Sequence, residues 1–351
     1  MSRHMANPSN IVFVIGAGAS VDAGLPTGSQ LRDRIVSKLD IKFEGGVKRV
    51  SGNAEILGSL REHVKLENGN RGDVNPHLHA AWHIVNALPQ NISIDSFIDT
   101  QDDEKIELAG KLAIVNSILE AERKCRLYID QSELDPNLNF KLLADTWYAR
   151  FWELLISGCV KSNIKNKLQK MAFIIFNYDR CIEQFLIFSL KNYYRMNPGE
   201  IEDTLRALTI YHPYGSVGQL PLSKNAHGTP FGAMIGGKEL LSHANKIKTY
   251  TEQFENELAT REIRSLIQSA SRLVFLGFAF HKQNMDLIRP EKPARTQRVY
   301  ASVHGISLSD QTEVHDDIRR LLRTNPAPTI NLKPLVCSSL FEEFSRSLSL
   351  T

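Results

Sequence analysis

The chain has 351 residues, 42% of them hydrophobic and 23% charged, with 21 Gly and 14 Pro, a globular composition that excludes collagen-like and disordered classes. Lys plus Arg number 42 against 39 Asp plus Glu, and a formal charge of +3 is too small for a dedicated nucleic-acid binder, although local patches such as Arg319-Arg320 stand out. Cys125, Cys159, Cys181 and Cys337 form no CxxC pair, no run of about 18 apolar residues spans a bilayer, and the start lacks a signal-peptide core, so a cytoplasmic protein without zinc ribbon or disulfide framework is expected.

Met1-Ser2-Arg3-His4, ahead of a second methionine, reads as expression-vector sequence, and the domain is expected over 6–351. The first element is the β-branched and aromatic run Ile11–Ile15, the pattern of a strand buried on both faces. Gly16-Ala17-Gly18-Ala19-Ser20 follows at once, and glycines there let backbone N–H groups approach a phosphate at a helix start. The bland alternative is a tight strand-to-helix turn. The dehydrogenase fingerprint does not fit, since Val21 stands where its third glycine belongs.

Residues 45–165 read as a large helical insertion, with Leu108, Leu112, Val115 and Leu119 at helical spacing, polar punctuation over Glu67–Asp73, and a charged run Glu120–Arg126 read as a solvated face. His79 and His83 share a helix face, but Ala80 stands where a zinc protease needs Glu. Further strands are expected at Met171–Phe176, Leu208–Tyr211, Leu273–Phe278 and Val299–Val303, with loops over Ser216–Gly237. Within those loops Gly232–Lys238 imitates a Walker A start, but Glu239 replaces the Mg²⁺-binding hydroxyl. The fold class expected is α/β, a doubly wound and mostly parallel sheet with a large helical insertion.

Gly16-Ala17-Gly18-Ala19-Ser20 with Ala23-Gly24-Leu25-Pro26 closely resembles the NAD-binding loop of the sirtuin superfamily. Asn177-Tyr178-Asp179, with Glu183 four residues on, resembles that family's Asn-x-Asp signature, and Leu276-Gly277-Phe278-Ala279-Phe280 its later Gly-containing strand end. The resemblance covers about half the chain and implies Gly16, Ala17, Gly18, Ser20, Asp22, Pro26, Thr27, Tyr214, Gly215, Gly277 and Phe278 as NAD-binding residues, with Asn177, Asp179 and His212 as catalytic ones. Two departures matter. Tyr214 occupies the place of the usual family His before Gly215, with His212 two residues earlier on the same side of an extended chain. No four-cysteine zinc module stands between Asp179 and Gly277, which implies the bacterial branch that cleaves NAD to nicotinamide and ADP-ribose rather than deacetylating proteins.

On this reading Asn177 orients the ribose hydroxyls or a water, anionic Asp179 favours the developing ribosyl cation, and His212, with an ordinary imidazole pKa, serves as general base or aligns the ribose. Two local alternatives stay open: an Asx-turn helix cap for Asn-x-Asp, and helix capping by Ser20. His281 and Asn284 line the nucleotide or begin the next helix. The resemblance implies an antiphage-defence effector, and because uncontrolled NAD loss would kill the host, its activity is expected to be restrained, gated through the insertion. The resemblance further implies homo-oligomers and a separately encoded partner such as a HerA-type hexameric ATPase or an Argonaute, and no zinc is expected. The rival readings are a non-catalytic NAD or ADP-ribose sensor, and a nuclease subunit of a defence complex.

Overall fold

The computed structural model describes residues 11–68, 72–130, 136–222, 227–255 and 257–349. Met1–His4, the first residues of the expected domain and Gly69-Asn70-Arg71 of the polar punctuation lie outside them.

In chain order the strands are β1 (Ile11–Ile15), a small antiparallel pair β2 (Phe43–Glu44) and β3 (Lys48–Arg49), then β4 (Met171–Ile175), β5 (Thr209–Tyr211), β6 (Arg272–Leu276), β7 (Arg298–Ser302) and β8 (Thr329–Lys333). Six of them make one parallel sheet in the order β5-β4-β1-β6-β7-β8. The chain thus winds from β1 to one edge through β4 and β5, returns across β1 to β6, and finishes at the other edge. This is a doubly wound α/β architecture, and its switch point lies at β1, where ligands of such sheets bind beyond the strands' carboxyl ends.

The period of two in a strand divides the apolar residues between two cores. Val12, Val14, Ala172, Ile174, Leu273 and Phe275 face one way and pack in a continuous cluster with Ile56, Ile84, Phe97, Leu112 and Val115 of the insertion. Ile11, Phe13, Ile15, Phe173, Val274 and Leu276 face the other way onto Trp147, Phe151, Phe185 and Phe341. Burying one such side chain stabilises by roughly 1.5–3 kcal/mol relative to exposure, so the insertion is anchored by the same core as the sheet.

Its central helix, Glu104–Lys124, starts at Asp103, whose carboxylate accepts the backbone N–H of Lys105 and Ile106, as helix starts favour. The charged run at its end is solvated only in part, through exposed Lys124 and Arg126. Glu122 is fully buried and holds Arg180, Lys38 and Lys124 both close on Glu120, and Arg123 donates to the Gly232 carbonyl.

β8 has no counterpart in the expected strands. Its edge position leaves Thr329 exposed while Ile330 and Leu332 pack on the core, so only two of its five residues carry an apolar signal. β6 and β7 each begin one residue before the expected runs and end short of them, which puts Gly277 and Phe278 in the loop beyond β6.

Candidate functional site

β1 and β4 run in register, Ile15 opposite Ile175, and β1 and β6 likewise, Ile15 opposite Leu276. Gly16, Asn177 and Gly277 therefore emerge together at the switch point. The register that the buried apolar runs impose is what collects residues more than 250 positions apart.

The polar centre is a three-residue network. Ser20 Oγ donates to Asp179 Oδ2 at 2.8 Å, and Asn177 Nδ2 donates to Ser20 Oγ at 3.0 Å and to the Gly16 carbonyl at 3.0 Å. Asp179 Oδ1 accepts the backbone N–H of Cys181 at 3.1 Å, at the start of the Cys181–Tyr193 helix. Asp179 thus makes the Asx turn left open by the sequence, and its second oxygen still faces Ser20. Ser20 makes no side-chain cap, so the capping alternative is overturned. All three side chains are buried.

His212, just past β5, joins from the side. Its Nδ1 lies 3.1 Å from the Asn177 carbonyl and its Nε2 2.7 Å from Glu183 Oε1. A carbonyl accepts, as does an ionised Glu183, so the protonated ring donates from both nitrogens in this arrangement. Burial pushes its pKa down, but the Glu183 carboxylate, the hydrogen bonds to Glu183 and Asn177, and nearby Asp179 outweigh that, and the net direction is up. The expectation of an ordinary imidazole is therefore corrected. Both ring nitrogens are engaged in this arrangement, and His212 holds the Asn177 backbone.

Tyr214 is buried, and its hydroxyl donates to Asn284 Oδ1 at 2.6 Å; burial, with Asp95, Tyr250 and Asp99 nearby, drives its pKa up and keeps it neutral. Gly215 adopts φ +78°, and a Cβ there would stand 2.1 Å from the Lys246 carbonyl oxygen.

The glycine loop is closed by its neighbour. Gly16 N–H donates to the Leu276 carbonyl at 2.9 Å and Gly18 N–H to the Gly277 carbonyl at 3.0 Å. Gly277 sits at φ +54°, where a Cβ would fall 2.0 Å from Ala19 N. The glycines allow two loops to cross in contact, and in this conformation neither of those N–H groups is presented to a phosphate. Ala17 begins a four-residue helical turn, Ala17–Ser20.

Other expected binding residues point elsewhere. Asp22 accepts the Trp147 N–H at 3.0 Å at the start of the Trp147–Ile156 helix, and burial raises its pKa against that bond. Pro26 is buried, and Thr27 forms a capping box with Gln30 for the Gly28–Leu39 helix. Phe278 packs among Phe176, Phe275 and Phe280. Away from the site, His79 lies edge-on to Trp82 and His83 bonds Gln101, while Lys238 of the Walker-like segment pairs with Glu62.

Three contributions were not assigned from sequence. Glu183 has no role in the resemblance, although its place in the first turn of the helix after Asn-x-Asp marks it. Arg180 is bidentate to Glu122 at 3.1 and 2.5 Å and also donates to the carbonyls of Gly218, Thr229 and Pro230. Tyr178 donates to Asp95 of the Ile94–Gln101 helix, which fastens the insertion directly over the Asn-x-Asp loop; burial raises the Asp95 pKa to about 6.

Four surface cavities of about 170, 430, 580 and 570 Å³ lie elsewhere, and none is lined by Ser20, Asn177, Asp179, Glu183 or His212. No helix among the described residues is long and apolar enough to cross a membrane.

No protein-family model matches the chain, and no curated protein is significantly similar to it.

Proposed function

We propose that the protein is an NAD⁺ glycohydrolase, restrained in the conformation described above. The observation that carries this reading is the meeting of Ser20, Asn177 and Asp179 at 2.8–3.0 Å beyond β1 and β4, at the switch point where doubly wound sheets bind nucleotides. The ribose end of NAD⁺ suits the residues present, because Asn177, Asp179 and Glu183 supply acceptors for hydroxyl groups. The pyrophosphate end is not offered a cradle until the loops at Gly16–Gly18 and Gly277 part.

The reaction consumes one water. The bond between ribose C1′ and the pyridinium nitrogen breaks with its electron pair going to nitrogen, so nicotinamide leaves neutral and the sugar becomes an oxocarbenium ion. Water oxygen then bonds to C1′, and one proton is released with ADP-ribose. Asp179 opposes the cationic charge electrostatically and accepts the water's proton. Asn177 aligns the hydroxyls, and His212 holds Asn177 in place through its carbonyl.

Access requires movement of the Ile94–Gln101 helix, which Tyr178 ties to the Asn-x-Asp loop. A restrained NADase fits a cytoplasmic defence effector that assembles as homo-oligomers and is released by a separately encoded partner, such as a hexameric ATPase or an Argonaute. The test is chromatographic measurement of nicotinamide and ADP-ribose from NAD⁺ for the wild type and Tyr178→Phe across protein concentrations. Release that rises in Tyr178→Phe supports the reading. NAD⁺ bound by both proteins but cleaved by neither, even with candidate partners, replaces it with the sensor reading, which the fully engaged nitrogens of His212 favour.

A further inference from the structure

Glu183 holds a buried carboxylate oxygen that no described residue satisfies. Its Oε1 takes the His212 Nε2 hydrogen bond at 2.7 Å, whereas Oε2 is buried and without a hydrogen-bond partner. Among the described residues it is the only carboxylate oxygen so placed. Leaving such an acceptor unpaired costs about 1–3 kcal/mol, more when it is charged, and an unpaired buried acceptor in a native structure calls for an explanation.

The surroundings define the donor that suits it. His212 Nε2 already sits 2.7 Å from the Glu183 carboxylate, so a second cation would compete with the protonated form of the ring for the same group. A neutral O–H donor meets no such competition. Asp179, whose charge reaches His212, and Asn177, whose carbonyl His212 holds, belong to the same cluster, so the hydroxyl arrives beside the residues assigned to the sugar. We infer that Glu183 is a ribose-binding residue of this site, its Oε2 accepting a hydrogen bond from a hydroxyl of the ribose that carries nicotinamide. This inference rests on the NADase reading and adds a side chain that fixes the sugar's orientation.

The experiment is a cycle of protein and ligand changes read by calorimetric Kd. ADP-ribose and its analogues lacking the 2′- or 3′-hydroxyl of the terminal ribose are titrated into the wild type and Glu183→Gln, each also in a Tyr178→Phe background that removes the Tyr178–Asp95 bond to the Ile94–Gln101 helix. Glu183→Gln keeps the shape and the acceptor for His212. It is expected to weaken ADP-ribose binding about tenfold, and one of the two analogues is expected to lose about tenfold on the wild type but less than twofold on Glu183→Gln. Glu183→Asp, which draws the carboxylate back by one methylene, is expected to show the same pattern and serves if Glu183→Gln does not fold. Losses that simply multiply, or equal wild-type affinity for all three ligands, overturn the assignment of Glu183 and leave the NAD reading standing. Absence of ADP-ribose and NAD⁺ binding in both backgrounds overturns the NAD reading and this assignment with it.

Discussion

Replacing Arg180 by Met should be among the most damaging single changes in the protein. Arg180 and Glu122 are 1% and 0% exposed, and the guanidinium meets both carboxylate oxygens and three backbone carbonyls. Met fills much of the volume but strands the Glu122 charge, which keeps only the Gly232 N–H at 2.9 Å. Breaking a buried pair from one side costs about 3–5 kcal/mol, whereas replacing both partners with apolar residues is far milder. Equilibrium urea unfolding should therefore show a loss of about 3–5 kcal/mol for Arg180→Met, with at least half recovered in Arg180→Met/Glu122→Leu. Because Arg180 directly follows Asp179, the double variant should fold yet release nicotinamide poorly. A loss under about 1 kcal/mol in the single variant, or no recovery in the double, would refute the view that an unpaired buried charge governs this clamp.

Ser20→Ala removes the hydroxyl shared by Asn177 and Asp179 and should destabilise by about 1–3 kcal/mol while reducing nicotinamide release; unchanged unfolding and turnover would contradict the network. Gly277→Ala must place a Cβ 2.0 Å from Ala19 N at φ +54°, so the two loops should separate, with a large drop in thermal midpoint by calorimetry. Asp95 gives up its proton at about 6 in the fold against 3.8 unfolded; the fold binds that proton more tightly, so stability should fall by about 3 kcal/mol as pH rises from about 4 to above 6, and Asp95→Asn should flatten that part of the profile. His212, whose pKa is raised by Glu183, contributes stability that is complete below the unfolded value near 6.5 and is lost as pH rises through its folded value, so His212→Gln should remove the higher-pH decline.

The parts legible in the sequence are those whose signal is local and continuous. Buried parallel strands must be apolar on both faces, and β1, β4 and β6 announce themselves for that reason, while half-covered β8 does not. The glycines after β1 and β6 are equally visible, but their partnership is not: that Gly16 and Gly18 need no side chain because Gly277 presses on them is a fact of register between distant strands. The same holds for Glu122, which sits in a charged run and was read as solvated because nothing local indicates that Arg180 waits for it in the core. His212 joins the site as the resemblance implies, yet its raised pKa follows from Glu183, a residue on another element. Residue type suggested the chemistry, and only the assembled strand ends decide which lone pairs and protons remain available to perform it.

The most direct test of the central claim is nicotinamide release from saturating NAD⁺ by the wild type and Asn177→Ala in the Tyr178→Phe background, with circular dichroism to verify that both are folded. The account expects release in the first and a fall of at least a hundredfold in the second, since Asn177 links the Gly16 carbonyl, Ser20 and the His212 contact. Equal release from two folded proteins, or none from either despite NAD⁺ binding, would contradict it.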